Sequence, residues 1–209
     1  MKKRSWKYKK ILGIGLSVAL FLFGIGVVQK ILDDQTSQFE DESVVKVEDN
    51  TEDKKEQKTI ETLKAPVKDG IGIVRYYYNK DDDSSKQEQS LILFEGVYRP
   101  NQGIDYANKN ETFDVYASIS GTVTKKTNDP VLGWVVTITN NDNVATTYQS
   151  LSKVNVELNA TVKQGDTIGS SGTNVYEADL KNHLHFILQK DDQMYNPETY
   201  LNQPLNTIK

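Results

Sequence analysis

Residues 11–28, ILGIGLSVALFLFGIGVV, carry no charged side chain. As a helix rising about 1.5 Å per residue, such a run spans about 27 Å, close to the roughly 30 Å hydrocarbon core of a bilayer. It has no polar face, so a helix lying on a globular core fits poorly. A cleaved export signal has an apolar core of roughly 7–15 residues and ends in a small-x-small site. Here the run is longer and passes into Val27-Val28-Gln29-Lys30 with no such site. An uncleaved single-pass transmembrane anchor is therefore expected at 11–28. Lys2, Lys3, Arg4, Lys7, Lys9 and Lys10 form a basic head over residues 1–10. The positive-inside rule puts that head in the cytoplasm and everything after Lys30 outside.

Residues 29–66 are polar, with acidic residues in excess, among them Asp33, Asp34, Glu40, Asp41 and Glu42. Such a stretch buries too little apolar surface to offset the entropy of ordering it. It reads as a flexible linker. A coil of about 38 residues has its ends roughly 35 Å apart and extends to about 130 Å, so a domain beyond it can work well away from its membrane. The net charge of −4, with no basic patch interleaved with aromatics, argues against a nucleic-acid binder. Cysteine is absent, which removes disulfides and thiolate metal ligands.

The folded part is expected over 67–203. Short runs rich in β-formers recur at 71–78, 89–98, 103–107, 115–125 (broken at Ser120-Gly121), 133–139, 144–151, 154–158, 166–169 and 183–188. Asn140-Asn141-Asp142-Asn143 reads as the turn of a hairpin between 133–139 and 144–151. Residues 80–86 read as a charged loop and 170–182 as a second loop. Asn196-Pro197 looks like an N-cap followed by Pro at the first helical position, giving one turn to Leu201. The fold class is all-β.

His183 and His185 are the two histidines of the 209-residue chain. In a strand, side chains two apart share a face, so these imidazoles point one way, about 7 Å apart, and Leu184 and Phe186 the other. A catalytic zinc site uses three protein ligands and a water, so the pair needs partners.

Gly103-Ile104-Asp105, Tyr148-Gln149-Ser150-Leu151, the stretch from Val162 through Gly165-Asp166 to Gly172, His183-Leu184-His185-Phe186 and Asn196-Pro197 follow in an order that resembles the lysostaphin-type, LytM-like zinc endopeptidases, which cut peptide cross-links in peptidoglycan. The resemblance covers 99–201. It implies a LytM-like β-sheet domain and metal-ligand positions at Asn101, Asp105 and His185. It also implies catalytic positions at Ser150 and His183. Asn101 and Ser150 stand where the active enzymes have histidine. A neutral amide is a poor zinc ligand beside imidazole. Without zinc, nothing brings a water's pKa toward about 7, and a serine hydroxyl cannot replace imidazole in proton transfer near neutral pH. The expectation is a vestigial site with no catalytic residues and no metal, zinc binding weakly at most.

The basic head, single anchor, acidic linker and degenerate domain together resemble a narrower group, the inactive LytM-like membrane proteins that spore-forming Firmicutes make in sporulation. Residues 103–105, 113–115, 118–123, 129–133, 148–152 and 182–186 carry that likeness. It implies a single-pass forespore membrane protein whose domain faces the engulfing mother-cell membrane. It also implies a mother-cell partner, stage III sporulation protein AH, bound largely by strand-edge pairing to support engulfment and a channel between the cells. Candidate edges are 71–78, 115–125 and 133–139. Rival readings are an active zinc peptidoglycan endopeptidase with substitute ligands, and a degenerate activator of a separate wall hydrolase or wall-binding module. A lipoyl-like sandwich, suggested by 162–172, lacks the lysine attachment turn.

Overall fold

The computed structural model describes residues 60–209. The basic head, the expected anchor at 11–28 and the linker up to Thr59 lie outside the described residues. Among the described residues no helix is long and apolar enough to cross a membrane.

The domain is built on one large antiparallel sheet, as the alternating short runs predict. Its main path starts with β1 (Gly72–Arg75), β4 (Ile104–Ala107) and β11 (Leu184–Lys190). It continues through β8 (Val144–Val154), β7 (Gly133–Thr139) and β6 (Gly121–Asp129) to β9 (Thr161–Val162). Off this path, β10 (Thr167–Ser171) pairs with β8 and with β5 (Asp114–Tyr116), and β12 (Gln193–Tyr195) pairs with β11. The β7–β8 hairpin forms where expected. Asn140 Oδ1 accepts from the amides of Asp142 and Val144 and closes its turn.

β11 carries the alternation that its sequence announces. Leu184, Phe186 and Leu188 are fully buried in the core, with the Phe186 ring 5.5 Å from that of Tyr148. Fully burying each such side chain contributes about 1.5–3 kcal/mol, which fixes the strand's facing and so commits His183 and His185 to the opposite side. The core also takes in Leu63, Leu205 and Ile208, beyond both ends of 67–203. Thr62 and Leu63 bridge to Pro204 and Leu201, so the chain ends of the domain close on each other.

Several expectations are corrected. Residues 89–98 are not one strand. They hold the end of a helix, then β2 (Leu91–Phe94) and β3 (Val97–Pro100), a separate hairpin turning at Glu95 and Gly96, both with positive φ. Left-handed geometry at both turn residues is what a two-residue hairpin needs. The charged loop at 80–86 runs into that helix, α1 (Ser84–Gln89), started by Asp83, whose carboxylate accepts from the amides of Ser85 and Lys86. β8 runs unbroken through Leu151 to Val154, absorbing the start of the strand expected at 154–158. The helix after Asn196, α2 (Pro197–Tyr200), has the expected cap. Of the three candidate edges, β7 is flanked by β6 and β8 and is no edge. β1 is hydrogen-bonded on one side only among the described residues, and β6 is paired to β9 only at Gly121 and Thr122.

Candidate functional site

Register builds the site. Arg75 of β1 lies opposite Asp105 of β4, Asp105 lies opposite His185 of β11, and His185 lies opposite Gln149 of β8. One row of cross-strand neighbours thus brings residues from four distant parts of the chain together. Next to Gln149, Ser150 has φ +63, left-handed for a non-glycine residue. It sits where β8 changes partner, Gln149 facing β11 and Leu151 facing β10. That kink aims the Ser150 hydroxyl into the row, 2.8 Å from His183 Nε2.

All five positions named from the sequence meet in one cluster. His185 Nδ1 donates to Asp105 Oδ1 at 2.8 Å, and Asn101 Nδ2 donates to Asp105 Oδ2 at 2.9 Å. Asn101 Nδ2 also donates to the Tyr76 carbonyl, while its Oδ1 accepts from Gly103 N. Gly103 is required here by contact. A Cβ at this position would lie 2.4 Å from the Phe186 carbonyl oxygen and 3.1 Å from the His185 ring.

Four further residues belong to the cluster and were missed in the sequence. Glu177 Oε2 is 3.4 Å from both His183 Nε2 and His185 Nδ1. Arg75 Nη1 is 3.3 Å from Glu177 Oε1, and Arg75 Nη2 is 2.5 Å from Asp179 Oδ2. Asn174 Nδ2 donates to Ser150 Oγ, and Asn174 Oδ1 accepts from Glu177 N. Arg75 offered one sequence signal, a charge inside an otherwise apolar and aromatic strand run. Glu177 offered none, since 170–182 reads as an ordinary polar loop.

Around the two histidines the cluster is closed to solvent, and Asp179 lies at its exposed rim. Asn101, Asp105, Ser150, Glu177 and His183 have no exposed surface, and His185 has 5%. Two concavities, about 1170 and 480 Å³, lie elsewhere, and neither is lined by either histidine. Burial works against charge on the His185 imidazole, but the Asp105 and Glu177 carboxylates outweigh it and raise its pKa to about 10. Burial likewise disfavours the Glu177 carboxylate, yet the charged His185 beside it outweighs burial and holds it well below the usual range. Burial pushes the Asp105 carboxyl upward against the pull of His185. With His185 pushed high and Glu177 ionised, the proton of the Asp105–His185 pair rests on the imidazole at neutral pH.

These residues do not fit a zinc ion at the positions the resemblance implies. Zinc bonds imidazole nitrogen and carboxylate oxygen at about 2.0–2.2 Å through free lone pairs. Asn101 turns an N–H toward Asp105, and its oxygen is held by Gly103. His185 Nδ1 presents a proton to Asp105 instead of a lone pair. The donor set has closed on itself.

Residues 99–197, which include Asn101, Asp105, His183 and His185, match the model of peptidase family M23, and that sets the class of the domain. The fold alone is shared with a zinc-containing peptidase from Vibrio cholerae, at 22% identity and a TM-score of 0.54, covering 66% of this chain and 39% of that one. Nearer likenesses come from sporulation. The chain is 36% identical to stage II sporulation protein Q of Bacillus subtilis over 99% of its length and 74% of that protein's. It is also 40% identical to a chain of the solved SpoIIQ–SpoIIIAH pore-forming complex, with a TM-score of 0.70, covering 72% of this chain and 97% of that one. The chain belongs to the stage II sporulation protein Q family.

Proposed function

We propose that this protein is a membrane-anchored, non-catalytic module of sporulation. In this reading its domain, carried outside the forespore by the anchor at 11–28 and the linker at 29–66, binds stage III sporulation protein AH of the mother cell. The pair supports engulfment and a channel between the two cells. The likeness to a chain of the SpoIIQ–SpoIIIAH pore-forming complex, spanning nearly all of that chain at 40% identity, carries the partner reading. Loss of catalysis is supported by the cluster itself. A hydrolase must bring substrate and water to its metal or base, and here the imidazoles are buried and hydrogen-bonded to their neighbours. Strand addition at an open sheet edge is the mode of binding in this reading, with β1 and the outer part of β6 as candidate edges once β7 is removed.

The test mixes the full-length chain with the extracytoplasmic region of stage III sporulation protein AH and measures complex formation by size-exclusion chromatography. The same preparation, supplied with zinc, is incubated with cross-linked peptidoglycan. A stoichiometric complex and intact cross-links are expected. Cleaved cross-links would restore the zinc endopeptidase reading. Recovery of a wall hydrolase from sporulating cells, with no complex, would favour the activator reading.

A further inference from the structure

Glu177 is a carboxylate with no exposed surface, and besides the His185 imidazole on its Oε2 side it has Arg75, whose side chain is 8% exposed, 3.3 Å from its Oε1. A buried carboxylate is tolerated only with a compensating charge and hydrogen bonds. Arg75 comes from the edge strand β1, while Glu177 and Asp179 come from the loop that carries the 3-10 turn Ala178–Leu180. Its guanidinium therefore ties that loop to the sheet over the histidine pair. Arg75 holds the Glu177 carboxylate, and one ligand atom from each of Asp105, Glu177 and His183 lies within 4.8 Å of the other two. That is a spacing a divalent cation bridges, with an imidazole-and-carboxylate donor set suited to zinc.

We infer that Arg75 is this chain's own replacement for a metal ion: a tethered cation that balances Glu177, lets the cluster fold without metal, and masks a divalent-cation site made by Asp105, Glu177 and His183. The inference is about the cluster and does not rest on the partner, whose binding by the parent chain is measured separately. Arginine suits the role because it stays charged and its planar fork reaches two acceptors at once, here Glu177 and Asp179. Glu177 is not among the positions that the family resemblance marks as ligands, so the masked site is not the peptidase site restored.

The experiment compares the full-length parent with Arg75→Met, Arg75→Lys and the double variant Arg75→Met/Glu177→Gln, reading metal content and thermal midpoint with zinc and with chelator. The parent is expected to carry no stoichiometric zinc and to keep its Tm in either condition. Arg75→Met in chelator should lose about 10 °C, as breaking a buried pair from one side does. Added zinc should return about half of that loss or more, as a ligand of the native state does. A variant that folds only with zinc supports the inference equally. Arg75→Lys should fall between parent and Arg75→Met and ignore zinc. The double variant, with the carboxylate that Arg75 faced also gone, should recover much of the loss and also ignore zinc. Stoichiometric zinc in the parent overturns the inference. So does an unchanged Tm in Arg75→Met, a loss there that zinc does not relieve, or a zinc response in the double variant equal to that of Arg75→Met.

Discussion

Ser150 Oγ lies 2.8 Å from His183 Nε2, and His183 Nδ1 lies 2.9 Å from the Lys181 carbonyl oxygen. A carbonyl only accepts, so Nδ1 carries the proton. In the neutral imidazole Nε2 is then the acceptor, and the Ser150 hydroxyl donates to it. Ser150 Oγ in turn accepts from Asn174 Nδ2. The residue standing where the active enzymes have histidine has thus become a relay between the surviving histidine and the loop above it.

Replacing Ser150 with Ala removes one relay atom and leaves two buried polar groups short of a partner. The expected loss is about 1–2 kcal/mol, toward the lower part of the range for an unsatisfied buried pair, because Asn174 Nδ2 already lies 3.4 Å from His183 Nε2. Ser150→Gly loses the same hydroxyl but relaxes the left-handed backbone, and should fall short of Ser150→Ala in its cost. Urea unfolding of the parent and both variants reads the difference.

Stability should fall on both sides of neutrality. The His185 pKa is raised from 6.5 to about 10 in the folded domain. Its contribution is therefore fully present below the unfolded value and is lost as pH rises through about 10. Glu177 is held below its ordinary 4.5, so its contribution is present above that value and fades as pH falls below it. Asp105, raised by burial, works in the opposite sense on the acid side and softens that limb. Alkaline loss is thus the clearer signature, approaching about 1.4 kcal/mol per pH unit between 6.5 and about 10, where the unfolded chain has lost the His185 proton and the folded domain keeps it. Unfolding measured from pH 6.5 to 10.5 should show it, and His185→Gln should flatten that limb.

The large features were legible because they rest on local pattern. Alternation in 183–188 placed both histidines on one face. The Asn140–Asn143 turn gave the β7–β8 hairpin, and Asn196-Pro197 gave the start of α2. What failed was pattern of other kinds. Apolar residues flank Glu95-Gly96 on both sides, so two strands of a hairpin read as one. Asp83 as an N-cap was hidden within a run of like residues, so α1 read as charged loop. The missing half of the site was illegible for a deeper reason. Arg75 and Glu177 are 102 residues apart: register across β1, β4 and β11 brings Arg75 to the row of His185, and Glu177 reaches the same histidines from the loop after β10. The family resemblance named the positions that a metal would use, not the residues that fill its place.

Gly103 makes the close packing of this row possible. A methyl group there meets the Phe186 carbonyl at 2.4 Å, a backbone atom that cannot turn aside, and crowds the ring of His185. Gly103→Ala should cost about 1–3 kcal/mol as overpacking does. It should also blunt the alkaline limb, because β4 and β11 must part where Asp105 meets His185. The same pH series checks both effects, and a full alkaline limb in a destabilised variant would place the strain away from that pair.

Restoring the lost histidines tests the mapping of the site onto the peptidases. Ser150 has a left-handed backbone, a conformation in which histidine is enriched among non-glycine residues, so Ser150→His adds little backbone strain beyond what Ser150 already carries. Asn101→His removes the N–H that now caps Asp105 Oδ2 and gives an imidazole nitrogen in its place. With Asp105 freed on that side and His185 able to give up its proton to solvent, three ligands of the zinc type stand together. The double variant should therefore bind zinc far more tightly than the parent by isothermal calorimetry, with protons released on binding. Arg75 still repels a second cation over the same row, so adding Arg75→Met should tighten binding further. A double variant no better than the parent would mean that Asn101 and Ser150 do not occupy the peptidase positions. A triple variant no tighter than the double would mean that the guanidinium does not compete with metal.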